Sequence, residues 1–149
     1  MEPTRKTESG ASPSRCNVTA LRKASRRLSQ IYDAALAPHG VRSTQRAILV
    51  NVARAASPTM QELAAALVLD RTALNHNLKP LERDGLLKIC VDERDRRARR
   101  IELTDRGRKI LDESGVDWQR AQVQFEALFG EKRAAELRAA LDVISTMEM

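Results

Sequence analysis

Two groups of side chains have the types and spacing to do chemistry, and both are suited to gripping an anion rather than to covalent catalysis. The first is a basic turn. Arg94, Arg96 and Arg97 stand between the apolar run Leu86-Leu87-Lys88-Ile89-Cys90-Val91 and a run in which Arg100 and Glu102 alternate with Ile101 and Leu103. The runs on either side read as strands of a hairpin, with Ile101 and Leu103 facing one way and Arg100 and Glu102 the other. Guanidinium groups at the tip of a hairpin can meet phosphates or enter a minor groove. Taken alone, the segment also fits a solvated charged turn. The second group emerges when residues 71–84 are projected at about 100° per residue. Thr72, Asn75, His76, Lys79 and Arg83 then cluster opposite Leu74, Leu78 and Leu81, with Arg71 and Asn77 nearer the apolar flank. An amide can pair with an adenine edge, Lys with guanine or phosphate, and Thr with a thymine methyl or a phosphate. Arg71, at the helix start, is placed to reach a phosphate. A polar face alone would be the solvated side of any amphipathic helix.

Other chemistries find little support. His39 and His76 belong to different elements, and neither has a nucleophile or carboxylate partner in its local sequence. There is no glycine-rich phosphate loop and no paired-histidine zinc motif. Cys16 and Cys90 lie far apart and match no metal-ligand spacing. The expectation is therefore a non-enzyme with no metal and no cofactor. Four aromatic residues, Tyr32, Trp118, Phe125 and Phe129, are too few for a stacking platform for single strands. The 26 basic residues outnumber 20 acidic ones, a net charge of +6, which favours an anionic partner without making the chain a polycation. No apolar run approaches the roughly 18 residues of a membrane span, and the amino terminus lacks a signal-peptide core. No membrane is expected as a partner, and the cytoplasm is the compartment these features fit.

The elements that must position the two groups can be read along the chain. Residues 1–15 mix Pro, Ser, Thr, Gly and charges without periodicity and are expected to be disordered. A first helix spans about 18–37, with Leu21, Ala24, Leu28, Ile31 and Ala35 on its apolar stripe, and Pro38-His39-Gly40 ends it. A second spans about 44–56 and is broken by Ser57-Pro58. Thr59-Met60-Gln61-Glu62 is a capping box that opens a third helix running to about Leu67. After the turn Val68-Leu69-Asp70, a fourth helix runs from Arg71 to Asp84 and Gly85 closes it. Pro80 lies inside that helix and removes one backbone hydrogen bond. Thr104 caps a fifth helix beyond the hairpin, with Asp105 at its positive end. Leu111, Ser114, Trp118, Ala121, Phe125 and Leu128 then form a heptad seam interrupted by Gly115, and a last helix carries Leu137, Leu141 and Ile144. Both seams fit packing within the chain, but a shared dimer core is the expectation here. The helix-turn-helix unit is compact and the terminal helices need a surface on which to bury their stripes.

In this order the residues resemble the MarR family of winged-helix transcriptional regulators. The matching pieces are Gln45 to Leu49, Glu62-Leu63-Ala64, Leu69-Asp70-Arg71-Thr72 and Leu81-Glu82-Arg83-Asp84-Gly85-Leu86. Asp92, Asp95, Arg96 and Arg97 follow, ahead of Leu103-Thr104 and Gly107. The resemblance covers about 18–147. It implies a mainly α fold with a small β-hairpin wing, a winged helix-turn-helix flanked by N- and C-terminal dimerisation helices. The divisions expected are a disordered segment at 1–15, a dimerisation helix at 16–42, the DNA-binding domain at 43–103 and dimerisation helices at 104–149.

The resemblance further implies a homodimer on double-stranded DNA with a palindromic operator. Recognition helices carrying Arg71, Thr72, Asn75, His76, Lys79 and Arg83 would enter successive major grooves. Wings would lay Arg96 or Arg97 in the flanking minor groove, with Arg94 beside them. Asp92 and Asp95 would shape the wing through an arginine pair, because phosphate repels a carboxylate. The implied activity is a repressor released by a small, often aromatic or phenolic, anionic effector bound between the dimer helices and the DNA-binding lobe. Two alternatives stay open. Some family members sense peroxide through a cysteine near the position of Cys16, held there by a pair of tyrosines, whereas this chain has only Tyr32. By its residue type Cys16 is expected to be buried and structural, and Cys90 to serve packing. The other alternative is an adaptor whose winged helix docks a protein.

Overall fold

The computed structural model describes residues 15–148. Of the segment 1–15 expected to be disordered, all but Arg15 lies outside the described residues. The elements are α1 (Asn17–Leu36), α2 (Ser43–Ala55), α3 (Met60–Leu67), α4 (Arg71–Arg83), β1 (Leu87–Val91), β2 (Arg99–Leu103), α5 (Asp105–Phe129) and α6 (Glu131–Ser145), and a 3-10 turn at Ala37–His39 joins α1 to α2.

Local chemistry sets the boundaries. The capping box forms as written in the sequence: Glu62 N donates to Thr59 Oγ1 at 3.2 Å, and Thr59 N donates to Glu62 Oε2 at 2.8 Å. Asp70 caps α4 by accepting from Ala73 N at 2.7 Å. Between the two caps, Val68 takes a left-handed φ of 52°, the tight turn that sets α4 across α3. The core lies under this unit, where Ile48, Leu49, Leu63, Leu74, Leu78, Leu81, Leu87 and Ile101 are buried together.

Strands β1 and β2 pair antiparallel in a register that places Leu87 opposite Leu103 and Ile89 opposite Ile101. The alternation read from sequence is what buries Ile101 and Leu103. An unexpected third strand-like segment completes this sheet. Thr59 bridges Arg100, and Ile101 N donates to the Pro58 carbonyl at 2.9 Å. The wing is thus fastened to the turn between α2 and α3 as well as to its own hairpin partner.

Thr104 stitches the start of α5 onto the turn after α4. Its hydroxyl accepts from Gly107 N at 3.0 Å and donates to the Gly85 carbonyl at 2.6 Å, and its N–H donates to the Leu86 carbonyl at 3.2 Å. That stitch brings the Gly107 backbone so close to Leu86 that a Cβ there would stand 1.9 Å from the Leu86 carbonyl oxygen.

The heptad seam of α5 divides instead of serving one interface. Leu111 and Trp118 pack against the core of the same chain, and Ser114 and Ala121 are buried, while Leu128 is 90% exposed. The reason is that α1 and α2 lie along the first half of the seam: Tyr32 faces Trp118 with ring centroids 6.2 Å apart, and Arg46 Nε donates to Ser114 Oγ at 3.2 Å. Gly115 does not interrupt the helix. Further exposed apolar residues are Val18 and Leu21 on α1, Val116 and Val123 on α5, and Val143 and Ile144 on α6.

Candidate nucleic-acid interface

Helix α4 buries Leu74, Leu78 and Leu81 and turns the rest of its surface outward. Arg71, Thr72, Asn75, His76, Lys79 and Arg83 are all exposed. Asn77, expected nearer the apolar flank, is exposed with them. Arg83 leans on Asp84 at 3.3 Å across an open surface, a pairing of little energetic weight. The arginines at the tip of the wing, Arg94, Arg96 and Arg97, are exposed, and none of them forms an ion pair among the described residues.

The base of the wing is organised by one buried carboxylate. Asp92 Oδ1 accepts from Arg94 N at 2.7 Å and Asp95 N at 3.4 Å, while Oδ2 accepts from Arg100 Nε at 2.7 Å. The Arg94 N–H and the Arg100 guanidinium hold this carboxyl below its ordinary pKa. Arg100 extends the connection, its Nη1 donating to the Ser57 carbonyl at 2.7 Å. The arginine that pairs with Asp92 is therefore Arg100, and Arg96 and Arg97 stay open to solvent. Asp95 pairs with no arginine side chain among the described residues: its Oδ1 accepts from Arg97 N at 2.9 Å and its carbonyl from Ala98 N at 2.9 Å, closing the turn by backbone bonds.

Arg100 is the residue that sequence reasoning missed. The alternation places it only on the same face as Glu102, although an arginine on the second strand beside a carboxylate at the end of the first is itself a signal of a cross-strand clamp. Arg100→Met should keep the helices and yet lower DNA affinity about tenfold, because the tip loses both charge-assisted anchors. Circular dichroism and a DNA titration check it, and full affinity in the folded variant would remove Arg100 from the interface.

A groove of about 680 Å³ runs between α3, the start of α4 and the wing, lined by Gln61, Arg71, Arg97 and Arg99. Glu62, Asp92 and Asp95 also line it, but Glu62 is engaged by the Thr59 N–H and Asp92 by Arg100. Arg99, which sequence reasoning missed as well, joins Arg71 and Arg97 in this lining.

Cys16 is exposed at the head of α1, against the expectation of a buried residue, in a stretch where residues 15–27 are all exposed. Thr19, through its side chain foremost, hydrogen-bonds the thiol and holds its pKa below the ordinary value. Cys90 is half-buried in β1. His39 does have a carboxylate partner, Asp117 on α5, with Nε2 2.8 Å from Oδ2. The partner lies 78 positions away, out of reach of any local reading. Among the described residues no group of His, Cys, Asp and Glu could hold a metal ion, and no helix is long and apolar enough to cross a membrane.

A capped helix-turn-helix whose second helix presents a polar face, followed by an arginine-tipped hairpin, defines a winged helix-turn-helix protein. The MarR family model matches residues 39–98. The M. tuberculosis transcriptional regulator MosR, solved in complex with DNA, is 35% identical, with 87% of this chain and 98% of that one covered and a TM-score of 0.73. The chain belongs to the MarR family of winged-helix transcription regulators, a dimeric family. Two more distant structures share the fold. CouR from Rhodococcus jostii RHA1 bound to p-coumaroyl-CoA is 20% identical over 93% of this chain and 99% of that one, with a TM-score of 0.75. A mutant MarR from E. coli complexed with operator DNA is 20% identical over 85% and 91%, with a TM-score of 0.77. No curated protein sequence matches significantly.

Proposed function

We propose that this chain is a homodimeric, sequence-specific double-stranded DNA-binding repressor of the cytoplasm, without enzymatic activity, released from its operator by a small aromatic or phenolic anion. The observation that carries this reading is the exposed face of α4 standing beside the exposed wing arginines, with Arg71, Arg97 and Arg99 lining the groove between them. Arg71, Thr72, Asn75, His76, Lys79 and Arg83 read or grip the major groove. Arg94, Arg96 and Arg97 reach the flanking minor groove, and Asp92 and Asp95 shape the loop that carries them. MosR, the relative at 35% identity, was solved on DNA, which supports the same partner here.

The test is a titration of the full chain with DNA from its own upstream region at two salt concentrations. Each phosphate neutralised contributes a slope of about −0.9 in log affinity against log salt. Lys79→Ala should weaken binding to all sequences alike and make that slope shallower by about 1. An unchanged slope would remove Lys79 from the interface, and no binding to any fragment would favour a protein-docking adaptor.

For the effector, the polar cluster between α1, α2 and α5 is the receiving surface. The Arg46 guanidinium lies 4.9 Å over the Trp118 ring, with Tyr32 beside it. Burial lowers the Arg46 pKa, and a guanidinium so placed can pair with an anionic group while the indole stacks on an aromatic one. CouR, bound to p-coumaroyl-CoA, is a precedent within the fold for an aromatic acyl ligand. Quenching of Trp118, the single indole, reads ligand entry directly.

A thiol-based switch is the second reading, favoured by the exposure of Cys16 and its lowered pKa. Loss of DNA binding on oxidation that disappears in Cys16→Ser would replace the ligand-release reading with this one.

A further inference from the structure

A second pocket, where α2, β2 and the start of α5 meet, is absent from both of these readings. It holds about 230 Å³, its walls formed by Val52 and Ala53 of α2, Ala56 of the following turn and Leu103 of β2. Ser57, Glu102 and Arg108 complete the lining. It lies toward the C-terminal end of α2, more than a turn and a half from Arg46.

Three features make it more than a crevice. The first is size: a dry cavity of about 150 Å³ accepts benzene, so this volume has room for one ring with a carboxylate. The second is charge. Arg108 makes no ion pair among the described residues. Glu102 is occupied by Lys88 Nζ at 3.0 Å and by the Ser57 hydroxyl at 3.4 Å, and the Lys88 ammonium holds its pKa below the ordinary value. The charge left to meet a guest is thus the guanidinium. The third is the turn itself. Ala56 and Ser57 are consecutive non-glycine residues at left-handed φ of 50° and 73°, a conformation that side chains disfavour and that recurs at ligand clamps and switches. The carbonyl of Ser57 is also the oxygen on which Arg100, the partner of Asp92, is anchored.

We propose that this pocket binds a small single-ring carboxylate, its ring on Val52, Ala53 and Leu103 and its carboxylate on Arg108. A guest pressing on the Ala56–Ser57 turn shifts the Ser57 carbonyl and, through Arg100 and Asp92, moves the wing. The site is distinct from the Arg46–Trp118 cluster, and its output is the position of the arginine-bearing tip.

Benzoate is the probe, titrated into the full chain and followed by amide resonances, with benzylamine as the cationic control. The expected result is saturable binding with Kd on the order of 1 mM, centred on Ala53, Ala56, Ser57 and Arg108 and accompanied by shifts in the wing, with Trp118 fluorescence unchanged. Arg108→Gln should weaken it at least about tenfold. Ala53→Leu, at an exposed helical position, should fill the mouth and abolish binding while the melting curve shows a folded chain. On operator DNA, saturating benzoate should lower affinity at least about fivefold in the parent and leave Ala53→Leu unaffected. Absence of saturable shifts, shifts centred on Trp118, or binding that survives both substitutions would overturn the site. Saturable binding with motionless wing resonances would overturn the link to the wing. The titration needs no DNA, so a failure of the proposed repressor function would be seen separately in the operator assay.

Discussion

Leu128→Glu is expected to turn the dimer into monomers and to lower affinity for a two-half-site operator by about 10²–10⁴-fold, the loss that follows when two linked binding events become independent. Leu128 is 90% exposed in the single chain, so the substitution removes almost nothing from the protomer's own core. A leucine that open at the end of a 25-residue helix is ordinary by itself. It is less ordinary alongside Val18, Leu21, Val123, Val143, Ile144 and Met147, which are exposed on or just beyond the helices α1, α5 and α6 that lie outside the winged helix. A charge there leaves the isolated fold intact and places an unpaired carboxylate in any interface those residues share. Sedimentation velocity reads the mass, and comparison of a full palindrome with a half-site reads the coupling. The decisive combination is a monomer with half-site affinity retained. A stable dimer at unchanged operator affinity would place the interface elsewhere.

The parts of this architecture that were legible in the sequence are those set by neighbours along the chain. Thr59 with Glu62 and Thr104 before Asp105 each announce a helix start, because a capping side chain reaches only two or three residues. The polar face of α4 was legible for the same reason: a fixed period decides which side chains oppose Leu74, Leu78 and Leu81. What escaped depends on the chain returning to itself. Arg100 meets the Ser57 carbonyl 43 positions away and His39 meets Asp117 78 positions away, and nothing in their flanking residues marks either partner. The α5 seam shows the limit most clearly. A heptad pattern says that a stripe will be buried but not against what. Here one stripe serves Tyr32 and Arg46 of the same chain over its first half and leaves Leu128 open at its end. The arginines of the wing were legible as a group, and the division between the exposed ones and the one that clamps Asp92 was not. Whether an arginine points to solvent or clamps an aspartate is decided by the twist of the hairpin and by the third segment at Pro58 and Thr59.

The match between Thr104 and Gly107 shows how a motif seen only as spacing acquires a physical cause. Gly107→Ala is expected to destabilise the protein by about 3 kcal/mol, at the upper end of what overpacking a well-filled site costs. The melting temperature should fall by about 6–12 °C at fixed protein concentration. The backbone of Gly107 is helical and makes no demand for a glycine φ, so conformational freedom is not the reason for the residue. The reason is distance: a Cβ would stand 1.9 Å from the carbonyl oxygen of Leu86, an oxygen that already accepts from Thr104 N at 3.2 Å and cannot retreat without breaking that bond. The methyl group therefore forces α5 away from the turn after α4, and that turn joins the end of α4 to the first strand of the wing. Gly115→Ala is the control within the same helix. Its nearest neighbour would be Arg46 Nη2 at 3.7 Å, an ordinary contact, so the gain in helix propensity should stabilise the protein by about 1 kcal/mol. Opposite signs for two glycine-to-alanine changes eight residues apart in one helix would establish close approach as the cause, and a loss at both positions would show that α5 tolerates no added volume anywhere along this face.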